Sequence, residues 1–461
     1  MNKVNDETTP LQQDAEQYEE DWYDEYEDDT IMKNPYFRYG VYALAAVFGL
    51  PLIYFLIIYL PNEAPASEQI ADIAVASKSP VYLHPVIPPS KHKSLGSEEY
   101  EHIEEENDED DDIYWSGEYS ADKKDPDDPI KKVPDFSKWA YLAKDSELFQ
   151  EHAKKLKGYS STSKATKRMI LIGDIHGSLK PLQRLLRRVK FDNRNDQIVM
   201  LGDFLAKGKD SMGVLEWAVK NNAGCVLGNH EIEILKRYAQ FHGLPKLTFV
   251  GRPGEKKNAS RTIDIDEVYD LDDLMKIAKH LSPEHIRYLR ECPLIQELGP
   301  VPHMTNRKQT KYFAYPAEGF AAHAGLLWNV KKVEDQDPVA VTTMRNLLPP
   351  DWTIPTEDRH EKVDGVKSEA WFKHWNAQQK KDESKEMKDI TADSLTVGKK
   401  VYYGHDAGRG ITIKPYSTGL DSGCVYGAAL STEIVWAEVV ISKATGEPII
   451  EYRHQFVQVN C

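Results

Sequence analysis

The sequence predicts an α/β domain carried behind a single membrane-spanning helix. Three observations predict it. Residues 41–60 form an uninterrupted apolar run without charge, Asn, Gln or His. Between residues 169 and 228 short apolar segments, each closed by a glycine, alternate with stretches of helical spacing. Acidic side chains are concentrated in two blocks outside both regions.

The apolar run comes first. A helix needs roughly 20 residues, at about 1.5 Å each, to cross a bilayer core. Tyr36, Phe37, Tyr39 and Tyr42 crowd one end and Tyr59 the other, where aromatic rings favour the headgroup level. A signal peptide fits poorly, because the run is too long and lacks a basic start. Helix 39–60 is therefore expected to span the membrane, Pro51 adding a kink. Lys33 and Arg38 precede it, whereas Glu63 and Glu68 follow. The basic flank stays cytosolic, so the C-terminal part is expected to be lumenal or exterior. Asn258-Ala259-Ser260 is then a glycosylation acceptor.

The 461 residues carry a formal charge of −16. Residues 1–36 contribute −10 and residues 98–129 contribute −14, so the remainder is +8. The acidity belongs to the two blocks, and the rest of the chain suits an anionic partner. Residues 1–36 read as an acidic cytosolic tail and 61–133 as a disordered acidic linker, since such charge density opposes collapse. The domain is expected over 134–461. Cys225, Cys292, Cys424 and Cys461 are too few for a disulfide scaffold, and without a CxxC pair there is no cysteine zinc knuckle.

Within the domain, 169–172, 198–201 and 225–227 read as buried strands. Leu179, Leu182, Leu185, Leu186 and Val189 mark one helix, Val214 to Val219 a second, and Ser282-Pro283 caps a third over 283–291. Strand and helix in alternation give an α/β pattern. Residues 400–404, 411–414, 424–429, 433–441 and 448–457 read as strands, giving a β-rich end. The stretch 329–398 is the least legible; it holds Trp352, Trp371, Trp375 and the polar insert 378–389.

Each strand end delivers metal-binding side chains: Asp174 and His176 in Gly173-Asp-Ile-His-Gly177, Asp203 after Gly202, and Asn229 and His230 after Gly228. His323 and His405 follow in glycine-flanked settings. Ligands at the carboxyl ends of neighbouring strands converge on one sheet edge. Carboxylate, amide and imidazole donors suit divalent transition metals better than calcium. The glycines are expected to let the backbone turn sharply away from each strand. Any single motif could be structural; the ordered set is what carries the reading.

Asp174-Ile175-His176-Gly177, Gly202-Asp203 and Gly228-Asn229-His230-Glu231 resemble the calcineurin-like metallophosphoesterase superfamily, in its branch of protein Ser/Thr phosphatases and diadenosine tetraphosphate hydrolases. Leu420-Asp-Ser-Gly-Cys-Val-Tyr-Gly427 resembles a segment of the nucleotide hydrolases. With a membrane span in front, the layout is most similar to fungal vacuolar zinc-dependent endopolyphosphatases. The resemblance implies a four-layer αββα sandwich with two divalent metals, zinc first and manganese, cobalt, iron or magnesium as alternatives. It implies Asp174, His176 and His405 on one metal, Asn229 and His323 on the other, and Asp203 bridging. Two such ions clamp phosphoryl oxygens and hold a hydroxide for in-line attack. His230 then protonates the leaving oxygen.

One departure separates this chain from the protein phosphatases. Their second motif reads Gly-Asp-x-Val-Asp-Arg-Gly, whereas here Ala206 and Lys207 stand for the Asp and Arg. His230 loses its orienting carboxylate, and Lys207 offers a point charge instead of a fork. Lys207 and Arg409 are the expected substrate contacts. The implied function is hydrolysis of phosphoanhydride bonds in inorganic polyphosphate, cut internally, by a vacuolar or other endomembrane protein with a lumenal catalytic domain and no nucleic-acid partner. Alternatives are a protein Ser/Thr phosphatase, a diadenosine tetraphosphate hydrolase, and a silent membrane scaffold.

Overall fold

The computed structural model describes residues 34–55, 67–70, 72–89, 133–160, 164–254, 261–262, 269–303, 315–388 and 395–461. The acidic tail before residue 34, the whole second acidic block and the sequon at Asn258 lie outside these residues. The chain divides into two units, Met1–Pro65 and Ala66–Cys461.

The first unit contains helix α1, Pro35–Tyr54, long and apolar enough to cross a membrane. It begins earlier than expected because Asn34 caps it, its side chain accepting from the Tyr36 amide at 2.9 Å, with Pro35 in the first turn. Over Ala45–Gly49 the helix widens to a π turn. That turn contains residue 47, whose carbonyl a proline at 51 would otherwise meet.

The second unit starts well before residue 134. Ile73–Ala74 (β1) and Val86–Ile87 (β2) are strands, and Ile73, Val75, Ala76 and Val86 are buried. The expected linker is therefore partly domain. Its apolar residues were outweighed in the sequence by the acidic block behind them. β3 (Ala140–Tyr141) follows, then α2 (Glu147–Lys154). The alternating core is β4 (Arg168–Ile172), α3 (Leu179–Arg188), β5 (Asp196–Met200), α4 (Ser211–Lys220), β6 (Gly224–Cys225) and α5 (Asn229–Phe241). β7 (Thr248–Val250) pairs with β1 and with β8 (Arg261–Thr262). α6 (Asp273–His280) and α7 (Pro283–Glu291) precede β9 (Ile295–Val301) and β10 (Ala317–Ala322).

The stretch that was hardest to read carries a short helix α8 (Ala340–Thr343) and strands β11 (Asn346–Leu348), β12 (Ile354–Thr356), β13 (Lys362–Val363), β14 (Val366–Lys367) and β15 (Glu369–Ala370). The polar insert forms most of helix α9, Trp371–Glu386, which buries Trp371, Phe372 and Trp375. The chain ends with β16 (Lys399–Tyr403), β17 (Thr412–Lys414), β18 (Ser417–Gly419), β19 (Ala429–Ile441) and β20 (Pro448–Asn460). The strand expected over 424–429 is instead a 3₁₀ turn, Cys424–Tyr426, set between Gly423 and Gly427, both left-handed.

Two sheets hold the site. One has the order β3-β2-β19-β4-β5-β6 with β20 on β19; the other is β17-β18-β16-β10-β9. β4, β5 and β6 are parallel, as are β10, β16 and β18. Period-two alternation splits each strand between two cores. Met169, Leu171, Val435 and Ala437 pack with Leu298, Ala321 and Tyr402 of the other sheet. Ile170, Ile172, Ile434 and Trp436 belong to the core that contains α3, α4 and α5. Beyond the second sheet, Trp371 of α9 meets Tyr403 edge-on at 4.9 Å. Arg168 and Asp196, opposite one another at the start of β4 and β5, form a buried bidentate pair at 2.8 and 2.9 Å.

All four cysteines are paired, Cys225 with Cys292 and Cys424 with Cys461. This corrects the sequence expectation. Separations of 67 and 37 residues carry no motif, and only the fold brings the partners together. Denatured, unreduced protein should therefore expose no thiol to a maleimide reagent. Replacing Cys225 and Cys292 together by Ser should cost about 2–5 kcal/mol in denaturant unfolding. Stoichiometric labelling before reduction would rule the pairing out.

Candidate active site

Residues after the carboxyl ends of β4, β5, β6 and β16 line one cavity of about 540 Å³, and His323 after β10 lies buried behind them. Asp174 and His176 follow β4, Asp203 follows β5, Asn229 and His230 open α5 after β6, His323 follows β10 and His405 follows β16. Three of these leave their strands in the left-handed region: His176 at φ 43°, Asp203 at 48° and His405 at 71°. Each costs on the order of 1–3 kcal/mol. That cost turns their side chains toward one edge.

The adjoining glycines serve a different purpose from the one expected for them at two positions. Gly228 and Gly404 are not among the residues with positive φ. A Cβ on Gly228 would sit 2.2 Å from Asp203 Oδ1, and one on Gly404 would sit 2.0 Å from Asp174 Oδ1. Those glycines let backbone approach the carboxylates closely.

Asp203 is the geometric centre. Its Oδ2 lies 3.4 Å from His323 Nε2, 3.7 Å from His176 Nε2 and 3.9 Å from His230 Nε2. His323 Nε2 is also 3.1 Å from Asn229 Oδ1 and 3.2 Å from His405 Nδ1. Two groups of donor atoms result, each within 4.8 Å: His176, Asp203 and His230, and Asp203, His323 and His405. Asp203 is common to both, as expected of a bridging carboxylate. The histidines divide differently, His405 falling beside His323 and His230 beside His176. Asp174 approaches His176 at 4.0 Å and accepts the His405 amide at 3.0 Å.

The chemistry of the donor set fits divalent metal ions. His323 Nδ1 donates to the Leu201 carbonyl at 2.8 Å, His176 Nδ1 to Leu205 at 3.2 Å, and His405 Nε2 to Thr343 at 2.8 Å. One nitrogen of each ring is thus spent on backbone, and the other faces the cluster. This is how metal-ligating imidazoles are oriented. Burial pushes His176 down to about 4 against the pull of Asp203, and pushes His405 well below its ordinary value. Both rings are therefore neutral and able to donate a lone pair. Burial would also lower His323, but Asp203 overrides it and holds the ring up at about 10. In the protein alone this imidazolium is the positive charge beside Asp203. Asp174 is driven well up by burial and by Asp421. Two positive ions would relieve that crowding of carboxylates. The arrangement is that of a dinuclear metallophosphohydrolase.

Several residues emerge only from the fold. Glu231, fully buried, accepts the amides of Asp203 at 2.8 Å, Leu205 at 2.9 Å and Gly228 at 3.0 Å. Burial and Asp203 raise it to about 7 while those amides oppose the rise. Glu231 thereby ties the loop after β5 to the start of α5. Its signal was its place three residues into that helix after Gly228. Asp421 also lines the cavity, as do Arg345 and Arg359. Both arginines come from the stretch that resisted reading.

Arg409, expected at the substrate, is not in the cavity lining. Its guanidinium is held by the Arg345 carbonyl, Asp406 and Asn346. Lys207 does line the cavity, its Nζ 3.4 Å from His176 Nε2. His230 Nδ1 is buried without a hydrogen-bond partner among the described residues. That is the consequence foreseen from an alanine at position 206.

Residues 167–353 match a family model described as calcineurin-like phosphoesterase. A zinc-dependent endopolyphosphatase of Saccharomyces cerevisiae is 25% identical over 312 residues, 66% of this chain and 85% of the relative. A symmetrical bis(5'-nucleosyl)-tetraphosphatase of Erwinia tasmaniensis is 38% identical over 128 residues, 27% of this chain and 38% of that protein. Another, from Vibrio parahaemolyticus, is 27% identical over 284 residues, 58% of this chain and 95% of that protein.

Because both donor groups use Asp203, Asp203→Asn should lose metal from both positions, whereas Asn229→Ala should weaken mainly one. Elemental mass spectrometry of the purified variants reads this directly. Two full equivalents retained by Asp203→Asn would exclude the shared carboxylate.

Proposed function

We propose, from the calcineurin-like phosphoesterase match over residues 167–353 and the donor groups around Asp203, that the chain hydrolyses phosphoanhydride bonds in linear oligophosphates, dinucleoside polyphosphates first among them. The observation that carries the nucleotide reading is the rim of the cavity. Val425 and the exposed Tyr426 line it beside Asp421 and the metal ligands. An aromatic face there can stack a base while phosphates reach the cluster. Several tetraphosphatase relatives favour the same reading. Inorganic polyphosphate is the second reading. It is favoured by the yeast relative, which matches the larger share of this chain.

When bound, the two divalent ions supply Lewis-acid polarisation of the phosphoryl group and activation of water. Asp174, His176, Asp203, Asn229, His323 and His405 would hold them. The remaining steps fall to the chain itself. Lys207, Arg345 and Arg359 line the cavity and present positive charge to the phosphoryl oxygens, Arg359 while 3.3 Å from Asp406. His230 faces the leaving group and carries its proton. An imidazole with an unheld Nδ1 is a poor match for a serine alkoxide. A phosphate leaving group is far less basic and needs little protonation, which favours anhydrides over phosphoprotein esters.

A panel of diadenosine tetraphosphate, long-chain polyphosphate, phosphopeptide and aryl phosphate tests the reading. Both anhydrides should exceed the phosphopeptide in kcat/KM. Wild type favouring the phosphopeptide about tenfold would replace the reading with a protein phosphatase. Ala206→Asp should raise phosphopeptide turnover by about tenfold or more relative to anhydride turnover, by giving His230 Nδ1 a partner. Position 206 has φ 67°, a conformation aspartate tolerates better than alanine.

The anchor completes the proposal. Two disulfides require an oxidising compartment, which agrees with a lumenal or exterior domain behind a cytosolic N-terminus, a vacuole being one such setting. Sealed vesicles should protect the domain from added protease until detergent is supplied; digestion without detergent would reverse the orientation.

A further inference from the structure

A second cavity, of about 590 Å³, lies at the other end of the strands that carry His323 and His405. It is lined by Glu318, Gly319 and Phe320 near the start of β10 and by Lys399 at the start of β16, which are register neighbours. The histidines follow the opposite ends of these strands, roughly 15–20 Å away at strand rise. Neither donor group that could hold a metal touches this cavity. The cavity is therefore separate from both donor groups.

Its walls are cationic. Lys155 and Lys157 come from the turn just after α2, Lys331 and Lys332 from the loop after β10, and Lys399 from β16. Two of its three carboxylates, Glu297 and Glu334, are already paired with Arg252 at 2.7 and 3.3 Å. Lys155, Lys157, Lys331 and Lys332 form no ion pair among the described residues, and all four are exposed. Lys399 lies 5.8 Å above the Phe320 ring. The excess charge of +8 outside the acidic blocks thus has a local expression away from the catalytic cluster.

We infer that this cavity is a second binding site for a condensed-phosphate chain, separate from the site of cleavage. The chemistry selects that ligand class. A planar carboxylate or a single monoester is best held by a guanidinium fork, and the one arginine here is committed to two glutamates. Ammonium groups on flexible stems, spread over three chain segments, match a flexible chain carrying charge along its length. A concave volume several times that of one phosphate also suits a soluble chain better than a flat lipid surface. The inference rests on the oligophosphate reading of the active site. On that reading it supplies a preference for long chains, held at one end of the strands while the other end cuts.

The test uses the full chain stripped of metal by a chelator, so that binding is read without hydrolysis and even if the proposed activity is wrong. Calorimetry with inorganic tripolyphosphate should show a binding site that weakens steeply with salt. Lys331→Glu with Lys332→Glu, and separately Lys155→Glu with Lys157→Glu, should each weaken it at least about tenfold. Unchanged thermal unfolding of each variant confirms the fold, and agreement between two walls guards against a local artefact. With metal restored, both double variants should raise KM for long-chain polyphosphate about fivefold or more, with kcat and aryl phosphate turnover unchanged. Tripolyphosphate binding whose affinity and stoichiometry neither double variant changes overturns the inference. So does orthophosphate binding as tightly as tripolyphosphate, or binding to phosphatidylserine vesicles in place of tripolyphosphate.

Discussion

The Asp203 carboxylate is the constraint on which the site depends. Three imidazoles converge on its Oδ2, and its own backbone is held in the left-handed region so that they can. A buried carboxylate in that position is tolerable only with positive charge around it. His323 supplies that charge in the protein alone, and metal ions would supply it in the active form. Glu231 secures the arrangement from behind by accepting three amides from the loops on either side. A second buried acid is thus used to fix the first, and the helix that begins at Asn229 starts where that acid requires.

The two sheets give this constraint its reach. β4, β5 and β6 bring Asp174, His176, Asp203 and Asn229 to one edge of the first sheet. β10 and β16 bring His323 and His405 from the second. Face-to-face packing of Met169 and Leu171 against Leu298, Ala321 and Tyr402 sets how the two edges meet. Catalytic geometry is therefore inherited from an apolar interface that touches no substrate. The Cys225–Cys292 bridge acts on the same region, because Cys225 ends β6 four residues before Asn229. The Cys424–Cys461 bridge ties the turn that carries Val425 and Tyr426 to the end of the chain. One covalent link thus supports the ligands and the other the rim.

The anionic substrate meets a site that is not uniformly basic. Carboxylates and cations both line the cavity, Asp203 with the histidines offering donors to metal and Lys207, Arg345 and Arg359 offering charge to phosphate oxygens. Lys207 and the arginines 345 and 359 come from opposite parts of the sequence and act on one volume. Arg409 shows how easily such a role is misassigned. It sits in a glycine-flanked turn near the site, yet its charge is consumed in holding Asp406 and the Arg345 carbonyl in place.

What the sequence determined by itself was everything local. The spacing of apolar residues and glycines gave β4, α3, β5, α4 and β6, and the residue types after the strands gave Asp203 with His176, His323 and His405, the side chains that the fold gathers into two donor groups sharing Asp203. The uncharged run gave an apolar helix long enough to cross a membrane, and Ala206 gave the unheld His230. Tertiary structure alone decided whatever depends on segments distant along the chain. It paired cysteines 67 and 37 residues apart, drew residues 73–87 into the sheets, and put Arg345 and Arg359 where Arg409 was expected. It also set the His405 ring 3.2 Å from His323 Nε2. The physical reason is the range of the forces involved. Periodicity and turn chemistry act over a few residues and are written in order, whereas pairing, burial and charge compensation act through space between residues that order does not relate.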